Sequence, residues 1–168
     1  MKVGNINYDD TIFIEGHSFQ LNGAGKRKAL LFDLYSVALY SNETFTSTQD
    51  AIDRDCNKLI RKHLLAGMIT GGMLGQIFRD SLQKTHYGKF PEIQNDVNDI
   101  VDLFKSIKVK RLDQFDFLYT PENGLAAYQN NKKIIERNNP TLAKAFLEMY
   151  LGKHHGDQSL PRRIAGLY

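Results

Sequence analysis

Residues 22–40, NGAGKRKALLFDLYSVALY, are the stretch around which the chain is organised. It opens on a small-residue turn, where Gly23, Ala24 and Gly25 let the backbone bend tightly or come close to another segment. The basic cluster Lys26-Arg27-Lys28 follows, then an apolar and aromatic run to Tyr40, closed by Ser41-Asn42. The run reads as a buried strand, or as two strand segments with a bend. On strand parity Arg27, Leu31, Asp33, Tyr35, Val37 and Leu39 share one face, so a guanidinium and a phenol look into one space. A straight strand from Arg27 to Tyr35 spans roughly 26 Å, at about 3.3 Å per residue. The two side chains therefore share a ligand only where the chain bends between them. In the alternative, Arg27 pairs with a surface carboxylate and Tyr35 is a core aromatic, since long charged side chains are mostly exposed.

Upstream, Thr11 to Glu15 (TIFIE) reads as a strand, Gly16-His17 as a tight turn, and Ser18 to Leu21 as its hairpin partner. Downstream, Ser47 to Asp55 begins with hydroxyl caps and acidic residues, which suit a helix start. Asn57 to Leu65 (NKLIRKHLL) fits strand or helix. Gly71 to Lys84 is a helix with Leu74, Ile77, Phe78 and Leu82 on one face. Pro91 to Ile107 is a second helix, striped by Val97, Ile100, Val101, Phe104 and Ile107, with Pro91 in the first turn. Gln114 to Tyr119 alternates as a strand, and the turn through Asn123-Gly124 returns it into Leu125 to Gln129. Asn130-Asn131 turns again before Lys132 to Glu136, which completes a meander. Asn139-Pro140-Thr141 caps a helix running to Leu151, with Leu142, Ala145, Phe146, Met149 and Tyr150 inward and Gly152 as the stop. Leu160 to Leu167 is a short final helix. Strands and helices in this order give an α+β domain, an antiparallel sheet with helices on one face. A repeating βα order, and with it a doubly wound fold, is absent.

With 168 residues, the chain is read as one domain, residues 1–168, long enough to bury a core. Its 42% hydrophobic and 24% charged residues argue against disorder. A net charge of +3 with dispersed basic residues does not point to nucleic acid. No apolar run reaches membrane-spanning length. Cys56 is a single cysteine, so no internal disulfide forms. The N-terminus MKVGNINYDDTIFIEG lacks a signal-peptide core and reads as cytoplasmic if native.

Most local motifs dissolve on inspection. Gly23 to Lys26 lacks phosphate-loop spacing, and Arg27 stands where Ser or Thr is required. Gly67 to Gly75 is glycine-dense: either a strand-to-helix connection or a helix N-terminus with amides for an anion. His154-His155 is a solvated pair, since adjacent side chains point apart, and no metal site is expected. His17, His63 and His86 lie in unrelated contexts, and Cys56 has no activator. Arg27 is left. A guanidinium at the edge of an apolar pocket suits a carboxylate or phenolate, with Tyr35 as a second donor and the helical stripes as the greasy lining.

The order LNGAGKRK, then VALY, then LEMYLG and a short terminal helix resembles the chalcone isomerase-like family, closest to its bacterial branch. The resemblance runs from about Thr11 to Leu167 and is specific at Leu21 to Tyr40 and Phe146 to Gly152. It implies the chalcone isomerase-like fold and makes Asn57 to Leu65 a strand. It implies a periplasmic or secreted protein whose signal peptide was removed from this sequence. Arg27 matches an arginine that in the plant isomerases holds the reacting phenolate, and Tyr35 matches a threonine. A tyrosine and an asparagine of the enzymes fall near Leu74 and Ser81, and a threonine at Met149, so only the arginine of that polar set is kept. The fatty-acid-binding members of the fold use an arginine and a tyrosine to hold a carboxylate, and Arg27 and Tyr35 look like that pair. The segment between them is shorter here than in the plant proteins.

The resemblance therefore implies a non-catalytic binder of a fatty acid or similar small amphipathic carboxylate. Its head group is held by Arg27 and Tyr35, and no cofactor is required. One alternative is an intramolecular lyase acting on a chalcone-like phenol, with Arg27 as its catalytic group. Another is an interaction scaffold without a pocket. The residues leave the oligomeric state open.

Overall fold

The computed structural model describes residues 1–85, 91–154 and 156–168. His86 and His155 lie outside the described residues. A two-stranded hairpin of β1 (Lys2–Val3) and β2 (Ile6–Asn7) precedes a seven-stranded sheet. The sheet contains β3 (Thr11–Ile14), β4 (His17–Ala29), β5 (Phe32–Ser41), β6 (Lys58–Leu64), β7 (Gln114–Thr120), β8 (Gly124–Gln129) and β9 (Lys132–Arg137). Every strand pairs antiparallel with its neighbours in chain order. The helices are α1 (Thr48–Asp53) between β5 and β6, α2 (Gly71–Gln83) and α3 (Pro91–Ser106) between β6 and β7, and α4 (Pro140–Leu151) and α5 (Ser159–Ile164) after β9.

The stretch from Asn22 to Tyr40 holds two strands, β4 and β5, with Leu30 and Leu31 as the turn between paired Ala29 and Phe32. The Gly23-Ala24-Gly25 segment, read as a turn, lies in the interior of β4. Its glycines serve close approach. A Cβ on Gly23 would sit 2.1 Å from the Arg163 carbonyl oxygen, and one on Gly25 would sit 2.5 Å from Leu160 Cδ1. Helix α5 therefore lies directly on the β4 backbone, a contact any side chain would block. The hairpin strand expected at Ser18 to Leu21 runs on through this glycine segment as one continuous β4, which also takes in His17, read as part of the turn.

The expected parity fails at one residue. Arg27 pairs with Tyr35 but Lys28 pairs with Asp33, so Leu34 is the extra residue of a β-bulge. The bulge turns Asp33 to the opposite face from Tyr35, where its carboxylate meets Lys26 Nζ at 2.7 Å. Leu31, read on the inner face, is in the turn and 95% exposed.

All five helices bury their apolar stripes on one face of the sheet, among Val37, Leu39, Ile60 and Phe115. On α2 these are Leu74, Phe78 and Leu82; on α3, Val97, Ile100, Val101 and Phe104. A Cβ on Gly71 would lie 2.0 Å from the Phe104 carbonyl oxygen. The glycine-dense entry to α2 thus lets two helix backbones touch. The other face of the sheet is not bare. Ile12, Phe19, Ala38, Tyr40, Leu59 and Leu118 form a second core there, closed by Ile6 and Tyr8 from the N-terminal segment. The two edges of the sheet curl toward each other over it. Glu15, beyond β3, accepts from the Tyr128 hydroxyl of β8 at 2.7 Å and faces Lys133 of β9 at 3.3 Å. Inside the curl, Arg61 grips buried Asp116 through two hydrogen bonds of 2.8 and 2.9 Å.

Candidate functional site

Strand β6 reads KLIRKHL, and its alternate residues Lys58, Ile60, Lys62 and Leu64 face the helices. Two lysines therefore point into the apolar layer. Lys58 solves this locally: its ammonium donates to the Arg54 carbonyl and lies 5.1 Å from the centre of the Tyr119 ring. Lys62 has no such solution. It is 9% exposed, and among the described residues no carboxylate or carbonyl accepts from its ammonium. Two aromatic faces surround it instead, Tyr35 at 4.4 Å and Tyr150 at 5.9 Å. Cation–π attraction offsets part of the lost hydration, roughly 0.5–2 kcal/mol per well-placed ring. Burial pulls the amine down from the ordinary 10.5 to about 8.

This ammonium opens on a cavity of about 60 Å³ between the sheet, α2 and α4. The walls are Phe78, Phe104, Phe117 and Phe146, with Tyr35 and Tyr150 beside Lys62. Phe117 and Phe146 pack with ring centres 4.5 Å apart and form its floor. Ile77, Ser81 and Met149 complete the lining, and the exposed Ile77 marks the mouth. About four water-sized volumes fit such a space. Among the described residues neither the Tyr35 nor the Tyr150 hydroxyl has a hydrogen-bond partner. Burial pushes the Tyr35 phenol up to about 12, with Arg27 pulling the other way, and pushes Tyr150 well above its ordinary value. Both hydroxyls are therefore donors at neutral pH.

Arg27 and Tyr35 face each other across β4 and β5, which removes the distance that a straight strand would impose. Tyr35 lines the cavity, whereas Arg27 is outside the lining and reaches toward the segment after α4. A Cβ on Gly156 would sit 3.1 Å from its Nη2. The cation in the cavity wall is Lys62. Its signal was present in the sequence: it is flanked at two-residue spacing by Ile60 and Leu64, both core residues of the same strand face. Leu74, Ser81 and Met149, at or near which the resemblance puts the polar groups of the plant enzymes, all border this cavity. Of the three, only Ser81 offers a side-chain hydrogen-bonding group.

A family model described as chalcone isomerase-like matches residues 1–166. The chain belongs to the chalcone isomerase-like family. Among solved structures, a fatty-acid binding protein of Arabidopsis thaliana is similar to it with a TM-score of 0.67 and 17% sequence identity. That match covers 93% of this chain and 96% of the other, so this chain has the chalcone isomerase-like fold along nearly its whole length. No curated protein matches the sequence. No helix among the described residues is long and apolar enough to cross a membrane.

Proposed function

We propose that this family member binds a fatty acid or similar small amphipathic carboxylate, with Lys62 as the anchor of the head group. One observation carries the reading: a buried lysine whose ammonium has no counter-ion among the described residues and faces an aromatic cavity. Burying a charge is costly unless it is paired, and an incoming carboxylate supplies the missing partner. In this reading the Tyr35 and Tyr150 hydroxyls, from two residues that line the same cavity, donate to its oxygens, and Arg27, whose charge acts on Tyr35, adds positive field from the neighbouring strand. The cavity takes the carboxylate and the first carbons of the tail. The rest leaves through the mouth between Ile77 and Met149, or enters further as α2 and α4 part. The similar structure from Arabidopsis thaliana is that of a fatty-acid binding protein, which is in keeping with this reading.

A second reading rests on the same ammonium, which would also stabilise a phenolate in an intramolecular lyase. The walls argue against it, because apolar Leu74 and Met149 stand where the enzymes carry hydrogen-bonding groups. Calorimetric titration of hexanoate and palmitate into wild type and Lys62→Met tests the proposal. A charge-assisted hydrogen bond in a buried site is worth roughly 1.5–3 kcal/mol, so the variant should bind about tenfold or more weakly. Equal affinity in the two proteins would remove Lys62 as anchor. Chalcone-to-flavanone turnover well above the spontaneous rate would favour the lyase.

A further inference from the structure

We infer that one end of the molecule is a docking surface for an anionic lipid bilayer. Three loop tips lie side by side there: the β4–β5 turn, the segment after β6, and the segment before β7. They are tied by backbone hydrogen bonds, Leu65 N to Leu34 O at 2.9 Å and Leu112 N to Leu64 O at 2.8 Å. Each tip presents large apolar side chains outward. Leu30 and Leu31 are each 95% exposed, Phe32 70%, Met68 89% and Leu112 51%. These are not scattered residues: Leu31, Phe32, Met68 and Leu112 border one open groove of about 850 Å³.

The backbone adds an independent observation. Leu30 has φ +54° and Leu112 has φ +71°. Two-residue hairpin turns ordinarily give a positive-φ position to Gly or Asn, because a Cβ there is strained. Here the chain accepts that strain twice, and both times the side chain it keeps is an exposed leucine. Neither leucine is buried in the core, so the fold gains little from them.

The charge around the patch selects the occupant. Lys26, Lys28 and Arg111 border the same groove, and Lys108 and Lys110 continue the belt past Thr70. Among the described residues only Lys26 of these five forms a salt bridge, with Asp33; Lys28 also acts on that carboxylate and Lys110 on Asp113, which leaves the collar net positive. On the other side Asp113 is buried and accepts from the Lys110 amide and from the Asn130 and Gln129 side chains. Apolar tips inside a basic collar match the bilayer interface, where acyl chains lie beneath anionic head groups. A protein partner with an acidic rim would meet the collar too, but it offers no reason for three neighbouring loops to expose leucine, phenylalanine and methionine side by side.

Flotation with vesicles of phosphatidylcholine, with and without roughly one-third phosphatidylserine, tests this. The docking is independent of the cavity, and vesicles free of fatty acid test it alone. Wild type should float with the anionic vesicles and much less with the neutral ones. Lys28→Gln/Arg111→Gln should bind about 25-fold more weakly, at roughly fivefold per basic residue. Leu30→Gly/Leu31→Ser relieves the strained φ, so it should melt no lower than wild type yet lose binding. The chain contains no tryptophan, so Phe32→Trp gives a single reporter. Its emission should shift to the blue and be quenched by brominated acyl chains. Absence of flotation, or flotation unchanged in Leu30→Gly/Leu31→Ser, overturns the proposal. A wild-type dimer that this variant dissociates, with no vesicle binding, would assign the patch to a second copy instead.

Discussion

Replacing Lys62 by Met should make the ligand-free protein more stable while weakening the proposed carboxylate binding about tenfold or more. Methionine keeps the length and the apolar stem of lysine and removes only the ammonium. The magnitude follows from the amine. Its pKa falls from 10.5 to about 8 on folding. Each unit corresponds to 1.36 kcal/mol, so keeping it charged at neutral pH costs about 3 kcal/mol. Removing the charge should therefore gain about 3 kcal/mol, or roughly 6–12 °C in melting temperature for a chain of this size.

The pH dependence gives this gain a signature that packing alone lacks. Between pH 8 and 10.5 the unfolded chain holds the Lys62 proton and the folded chain has lost it. There the unfolded state binds more protons, so stability from this group rises with pH. The penalty is full below about pH 8 and is gone near pH 10.5. The advantage of Lys62→Met should thus be largest at pH 7 and should shrink steadily toward pH 10. Urea unfolding of both proteins at intervals across that range measures it. A variant less stable than wild type at pH 7, or a difference independent of pH, would refute the idea that Lys62 is an uncompensated charge.

Carboxylate affinity should fall as pH rises through about 8, approaching tenfold per unit, because the free protein then loses the ammonium; titration from pH 6.5 to 9.5 reads this. Tyr35→Phe should weaken binding by roughly 1 kcal/mol, about fivefold, through loss of one neutral hydrogen bond, with little change in melting temperature. Gly23→Ala would place a Cβ 2.1 Å from the Arg163 carbonyl oxygen and must lift α5 off β4. It should cost about 2–3 kcal/mol, as overpacking does, seen as a lower urea midpoint. Asp116→Asn leaves the Arg61 guanidinium buried without its carboxylate. A loss of about 3–5 kcal/mol is expected on thermal unfolding.

Much of the fold was legible because its signals are local. The Pro91 helix, the meander turns at Asn123-Gly124 and Asn130-Asn131, and the Asn139 cap each rest on residues a few positions apart. What escaped was set by long-range packing. Gly23-Ala24-Gly25 reads as a turn by composition, yet its glycines answer to α5, some 140 residues later in the chain. The bulge at Leu34 is invisible to a period-two reading, and one extra residue was enough to send Asp33 to the other face. The second core was missed for a similar reason: nothing near β1 and β2 announces that Tyr8 closes the far side of the sheet.

The cavity marks the deeper limit. Arg27 drew attention because it stands in a basic cluster beside glycines, which is how binding loops look in sequence. Lys62 stands in RKH, which looks like an ordinary solvated strand edge. Only its phase with Ile60 and Leu64 says that this lysine points inward. A sequence weighs a charged residue by its type, and type alone argues for solvent; phase argues from neighbours, and in a buried strand the neighbours decide. The same inversion holds at the loop tips, where leucines argue for the interior by type and the topology places them outside. In both places the residue stands where folding alone would not have put it. A buried charge and an exposed leucine each raise the free energy of the isolated fold, and each would be lowered by the occupant proposed for it: a carboxylate in the cavity, and acyl chains beneath anionic head groups at the tips.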